Sequence, residues 1–491
     1  MSARLWAPLR PDARLEAGQA DEAVSRRGAM SVLGLAGQGV LRLAVTVVIA
    51  RLAGAHSLGV VAAGMALAQF LILLYPSTCG QAASRFIAEA RGAGDATRLR
   101  QVLTLLRARF VTAVLALSVL LVGIALLRDL DGPEVLALVV FFWGICGQQF
   151  TRGAHYGSGA VSRVVVLDIA FTLAGLVALV VCIRLGVRDG LLLLPLGVAY
   201  LLLAAACWPL SRREPVPAPV RRPIDHFVLL GSLGTLASAG LVQLSILQAA
   251  AVSTVVAGEY AAAWSLASPL TLLSAALSLV LYPTMAQAWG RGDRESVRRQ
   301  LDAGFRGIYL VVPAAVALGC LLAPEIVGFA YGPAFSAAAL PLCVLLYAVV
   351  ATMLAVPCVN ATTSQGTAGI AAIAVASLAG LLVAAVAWFA LVPPLSAVGV
   401  ALGYAIGVSV TGGYAVWRAS RDHEHRWALL VVRLVVGGAA LAGILALTWD
   451  LSGWVRGALG VVLAAAWIAA LPAERHLVLG AVAPRRARRA D

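Results

Sequence analysis

The feature that most constrains this chain is a succession of apolar runs of about 20 residues or more, broken only by short charged or Gly/Pro-rich gaps. Twenty residues of helix rise about 30 Å, the thickness of the hydrocarbon core of a bilayer. The runs fall near 29–50, 57–82, 103–127, 135–156, 161–183, 190–210, 227–252, 259–286, 304–328, 336–361, 367–391, 396–417, 428–448 and 455–471. They predict an all-α polytopic integral membrane protein with about 14 transmembrane helices. With 61% of residues hydrophobic and 12% charged, little chain is left for a domain solvated by water.

The net charge of +14 would suit a nucleic-acid binder, but the basic residues are all arginine and most lie in the short gaps between spans. That distribution orients a membrane protein, because translocated short loops disfavour basic residues. Alternate gaps hold Arg26 and Arg27; Arg91, Arg98 and Arg100; Arg212, Arg213, Arg221 and Arg222; Arg291, Arg294, Arg298 and Arg299; and Arg418, Arg421 and Arg426. The opposite gaps hold only Arg51, Arg128, Arg184, Arg188 and Arg456. Both termini are therefore predicted to be cytoplasmic, which requires an even number of spans and favours fourteen over thirteen. The first 27 residues are too charged for a secretory signal, and Arg51 rather than a small-residue cleavage site follows the first apolar run.

One segment reads as a linker: SRREPVPAPVRRP, from Ser211 to Pro223, is Pro-rich and basic. An internal repeat flanks it. LGVVAAGMAL from Leu58 resembles AGEYAAAWSL from Ala257, and RGAGDATRLRQVL from Arg91 resembles WGRGDRESVRRQL from Trp289, both at an offset of about 198 residues. Six spans separate the copies, so the repeat is parallel and its pseudo-twofold axis runs along the membrane normal. The predicted organisation is a cytoplasmic tail (1–28), an N-lobe of six helices (29–210), a basic linker (211–226), a C-lobe of six helices (227–418), a terminal helix pair (419–472) and a basic tail (473–491). Two such lobes enclose a cavity.

No catalytic signature is present: the chain has no GxxxxGK[ST], no HExxH and no acidic cluster for a metal, so neither an enzyme nor a cofactor is expected. The seven cysteines stand singly in apolar runs and read as small packing residues. Gly399, Gly403 and Gly407 form a small-residue ridge, either a static packing seam or a sliding contact. Pro76, Pro195, Pro269, Pro313 and Pro357 interrupt spans as kinks or hinges.

Ionisable residues inside spans are the sharper signal, because each costs at least about 2.5–3.5 kcal/mol in mid-bilayer unless it faces the bundle interior or water. Arg42 lies past the middle of the first span, with Arg51 about 13.5 Å further along the same helix. It is either a cavity cation that attracts a phosphate or a side chain snorkelling to the interface. Gln148, Gln149, Arg152 and His155 gather at the inner end of the fourth span, as donors to a pyrophosphate or as an ordinary polar helix end. Arg85 and Glu89 are spaced to pair on one helix face, as a gating or structural pair. Asp168, beyond Arg163 in the fifth span, is a proton or cation site or an arginine's partner. Gln243, Gln248 and Asn360 hydrogen-bond sugar hydroxyls or hold helices together.

The run IARLAGAHSLGVVAAGMALAQF (Ile49 to Phe70), then SRFIAEARGAGD (Ser84 to Asp95), resembles the opening of bacterial polysaccharide flippases, and FAYGPAFSAAALPLCVLLYAVV (Phe329 to Val350) resembles their ninth-to-tenth span junction. These belong to the multidrug/oligosaccharidyl-lipid/polysaccharide exporter superfamily. The resemblance implies a two-lobe, twelve-helix core in the bacterial cytoplasmic membrane that flips undecaprenyl-pyrophosphate-linked oligosaccharide, beside polymerase and glycosyltransferase partners. Two departures stand out. The family's tyrosine is missing near Val60 and Val61, although Tyr260 is present in the second copy. The helices after Arg418 occur in polysaccharide and lipid II flippases alike, against the drug-exporter reading. Alternatives left open are a cation-coupled multidrug antiporter, a lipid II flippase and a membrane scaffold for a polysaccharide synthase complex.

Overall fold

A computed structural model describes residues 8–17, 24–472 and 474–475, and these are helical throughout apart from connections. The helices are α1 (Pro11–Glu16), α2 (Val24–Leu74), α3 (Pro76–Gly92), α4 (Ala96–Leu126), α5 (Gly132–Gly157), α6 (Val161–Arg184), α7 (Leu193–Ala206) and α8 (Ala218–Val252). They continue with α9 (Thr254–Gly290), α10 (Arg294–Leu321), α11 (Ala323–Tyr331), α12 (Ala339–Ser364), α13 (Thr367–Asp422), α14 (Ala428–Thr448) and α15 (Gly453–Ala469). Among the described residues, 9 helices are long and apolar enough to cross a membrane, or 10 if a bent pair is one span. Every expected span falls mainly on helix; the lower figure arises because α2 and α13 each hold two expected spans, α15 is shorter than a full span and α9 is not among the helices that qualify.

Both long helices fold back on themselves. In α2 the break is Gly54, at φ 87°, a conformation open to glycine because it lacks Cβ. Arg42 then reaches Gln69 on the returning half. In α13 the break is Ser396, at φ 50°, preceded by Pro393 and Pro394, which cannot supply the N–H groups a continuous helix needs. Across that turn Trp388 Nε1 donates to the Val400 carbonyl at 3.0 Å. The Gly399–Gly403–Gly407 ridge lies in this hairpin, where a Cβ on Gly403 would strike the Trp388 ring. It is a seam between two halves of one helix pair.

The repeat is written into local structure. In RGAGD, Gly94 takes φ 69° and Asp95 caps α4, accepting from the Arg98 N–H at 2.8 Å. In GRGD, Gly292 takes φ 76° and Asp293 caps α10 through the Ser296 N–H at 2.9 Å. Each Gly-Asp pair therefore stops one helix and starts the next. Gly54 likewise corresponds to Ser253, the break between α8 and α9. Just beyond these breaks the copies cross. A Cβ on Gly59 would overlap the Thr254 carbonyl, and one on Gly258 would overlap the Ala55 carbonyl. Gly59 is the counterpart of Gly258, and Ala55 of Thr254, so the contact is reciprocal, as about a twofold axis.

The chain divides into two compact units, Met1–Ala261 and Ala262–Asp491. The division falls beyond the basic segment because α8 packs with the first unit: Thr235 Oγ1 donates to the Leu73 carbonyl at 3.3 Å, and Arg85 lies over the Phe227 ring. The basic segment itself is extended only to Pro217 and is tied down. Arg107 donates to the Pro209 and Ser211 carbonyls, Leu210 N–H to the Leu9 carbonyl, and Arg100 pairs with both Glu16 and Glu214. The first unit's core includes the cluster of Phe110, Phe150 and Trp208, and the second unit's a stack running from His425 through Trp427 and Phe305 to Tyr309. All seven cysteines are free thiols, and six of them are buried.

Candidate functional site

Helical spacing places Gln38 and Arg42 one turn apart on α2, and Gln148, Arg152 and Tyr156 at successive turns of α5. These faces meet Asp168 on α6. Asp168 is 4% exposed, so its carboxylate has left water and needs both donors and a counter-charge. It receives both. Gln38 Nε2 donates to one oxygen and Gln148 Nε2 to the other, and Arg152 Nη1 stands 4.0 Å away. Arg152 also donates to Gln38 Oε1 at 2.6 Å and to the Tyr156 hydroxyl at 3.3 Å. Gln38 is thus oriented at both ends, its oxygen toward the guanidinium and its amide toward the carboxylate.

Arg42 extends the same face of α2 by one turn. Its guanidinium is exposed and donates to Gln69 Oε1 at 3.2 Å, a neutral partner that leaves its charge uncompensated by that bond. Tyr200 on α7 lies within electrostatic reach of both Arg42 and Asp168. The cluster holds two guanidinia against one carboxylate, and that carboxylate is already neutralised by Arg152. What it presents is a fixed positive charge with amide and hydroxyl donors around it, suited to an anion.

The other sequence candidates are distributed differently. His155 is fully buried, with Nε2 3.2 Å from the Cys207 carbonyl, so it packs in the core instead of opening to a chamber. Arg85 and Glu89 do not pair with each other. Glu89 bonds Arg98 at 2.7 Å across the Gly94 turn, and Arg85 lies over the Phe86 and Phe227 rings at 5.3 and 5.0 Å. Asp168 takes Arg152 rather than Arg163, which lies only five residues before it in α6. Arg51 is exposed three residues before the Gly54 break. Gln248 is half-buried on α8, and Asn360, in the second unit, donates to Ser278 Oγ at 3.3 Å. Sequence reasoning missed Gln38 and Gln69. Their signal was an amide in an apolar span, in one case one helical turn from Arg42.

The second unit contributes an apolar groove of about 1080 Å³ between α12, α13 and α14, lined by Leu340, Tyr347, Ile406, Leu441, Leu445 and Trp449 among others. No group of three or more metal-binding side chains occurs among the described residues.

No known protein-family profile matches the chain. Its fold has counterparts among solved structures. It superposes on the lipid II flippase MurJ, in an inward closed conformation, with a TM-score of 0.67 and 11% identity, covering 92% of this chain and 99% of that one. On a multidrug resistance MATE family transporter of the MOP superfamily, inward-facing, the TM-score is 0.61 and the identity 16%, over 79% of this chain and 94% of that one. A third likeness is to a MOP superfamily transporter from Pyrococcus furiosus Vc1 described as having a binding pocket of reverse polarity (TM-score 0.55, 14% identity, 86% of this chain and 97% of that one). At such identities the likeness establishes architecture: the chain is a multi-pass membrane protein with the fold of the MOP superfamily transporters.

Proposed function

We propose that this protein flips a lipid-linked oligosaccharide, carried on a polyprenyl pyrophosphate such as undecaprenyl pyrophosphate, across the bacterial cytoplasmic membrane by alternating access of two lobes. The observation that carries the reading is the sign of the polar cluster: Asp168 is neutralised by Arg152, while Arg42 keeps an exposed positive charge on the same face. A pyrophosphate is the anion such a face recognises, and the amides and hydroxyls beside it suit sugar hydroxyls. The apolar groove of the second unit offers an isoprenoid tail a surface matched to hydrocarbon. In this reading both termini are cytoplasmic, the N-lobe and C-lobe flank the basic segment, and polymerase and glycosyltransferases act beside the flippase. Arg85 and Glu89, at the same end of α3, take part in closing the inner side through their separate partners.

A lipid II flippase fits the same chemistry and differs only in the glycan. A cation-coupled drug antiporter requires a free carboxylate, and the position of Arg152 argues against it. Reconstitution in proteoliposomes separates these readings. Transfer of a fluorescent polyprenyl-pyrophosphate glycan, with no uptake of cationic dyes, is the expected result. Dye transport without glycan transfer, under proton and sodium gradients alike, would overturn it.

A further inference from the structure

The second unit carries a polar bowl of about 950 Å³ that the polar cluster of the first unit does not involve. One wall is the N-terminal half of α10, with Glu295, Arg298, Arg299, Asp302 and Arg306, and the other is the loop joining α13 to α14, with Glu424, His425 and Arg426. The acids are unequally engaged. Asp302 accepts from Arg306 at 3.0 Å and from Trp427 Nε1 at 2.9 Å, Glu474 holds Arg306 at 2.7 Å, and Glu295 lies 4.0 Å from Arg299. Arg298 and Arg426 are exposed and have no carboxylate within 4.0 Å among the described residues.

At the floor stands His425, its side chain 7% exposed. Its ring stacks on Trp427 at 4.4 Å, and Trp427 stacks on Phe305 at 4.1 Å, so the imidazole cannot turn away. Its Nδ1 faces Asp302 at 3.7 Å, and its Nε2 is buried without a partner. A buried ring nitrogen without a partner, on a residue that lines the same bowl as two exposed guanidinia, is the arrangement an anion completes. The level of the bowl selects the anion's source. Arg294 lies over Trp289 and Arg421 over Trp417, the tryptophan and arginine pairing typical of the boundary where lipid phosphates sit.

We infer that the bowl binds the phosphate of an anionic lipid headgroup, held by Arg298 and Arg426 with the Nε2 of His425 beneath it. The inference is independent of the proposed cargo, since it concerns a lipid of the surrounding leaflet. It also links binding to protons. Burial, with Arg298, His423 and Arg306 nearby, holds His425 below the usual histidine range, against the opposing pull of Asp302. His423, also buried with an unpartnered Nε2, is lowered by burial and by Arg294 and Arg298, against Asp422. The other acids facing the bowl are Glu295 and Glu424, and Glu474 reaches it only through its pair with Arg306. A bound phosphate favours the imidazolium, so affinity rises as pH falls through the depressed histidine range, and the dependence is lost at higher pH.

The test uses the full chain in nanodiscs of phosphatidylcholine with increasing phosphatidylglycerol, reading the thermal midpoint at pH 6 and pH 8 and the lipid retained by native mass spectrometry. The wild-type midpoint is expected to rise saturably with phosphatidylglycerol, more at pH 6. In R298Q/R426Q the apparent affinity should fall roughly tenfold or more, with the midpoint in pure phosphatidylcholine unchanged. In H425Q the pH difference should shrink. Equal phosphatidylglycerol dependence in wild type and R298Q/R426Q would overturn the site. An equal saturable shift from inorganic phosphate in pure phosphatidylcholine discs would overturn the lipid as its ligand.

Discussion

The two units place their polar groups differently. Within the spans of the first unit a carboxylate, a guanidinium and two glutamines are joined in one network around Asp168. Among the described residues of the second unit, the buried polar contacts inside spans are neutral, such as Ser265 with Tyr331 and Asn360 with Ser278, and the buried ionic groups sit at helix ends, as where Arg456 meets Glu325. A charge buried in a span must bring its own partners, whereas one at a helix end shares them with water. The lesson concerns the spans: those of the first unit bury a fixed charge network, and those described in the second bury neutral polar groups and leave their charge at the ends.

The largest expected effect tests the first half of that contrast. Arg42→Ala should lower glycan transfer by at least tenfold at equal expression and insertion, because it removes the exposed cation; transfer at the wild-type rate would remove the first unit's claim to the anion. Next, Arg152→Ala should destabilise the protein by about 3 kcal/mol, because it strands a buried carboxylate. R152A/D168N should recover more than half of that loss in a double-mutant cycle of thermal unfolding. Additive losses would mean that the two residues do not act as a pair.

Gly59→Ala probes what the repeat shares, since a Cβ there overlaps the Thr254 carbonyl. A cost of about 2 kcal/mol is expected from the forced separation of backbones, and a similar one at Gly258. Sharply unequal costs in denaturant unfolding would argue against a reciprocal crossing. The smallest effect belongs to the neutral pairs. Tyr331→Phe should cost about 1 kcal/mol, because Ser265 keeps its bond to the Ala262 carbonyl. A loss as large as that of Arg152→Ala would erase the distinction between the units.

Much of this architecture was legible in the chain. Apolar run length located the spans, since each must match the bilayer, and RGAGD and GRGD marked a helix stop and start because glycine adopts positive φ and aspartate caps. The candidate site was half legible. Gln148, Arg152 and Asp168 stood out as polar residues in apolar runs, but sequence spacing left open which arginine would meet Asp168 and suggested Arg85 for Glu89. The actual partners are Arg152 and Arg98. Which runs must be helix, and where they break, follows from local sterics and the solvent and can be read residue by residue. Which charges neutralise one another depends on how the helices are rotated and packed, a matter of a few ångströms between segments distant in sequence, and only the tertiary structure decided it.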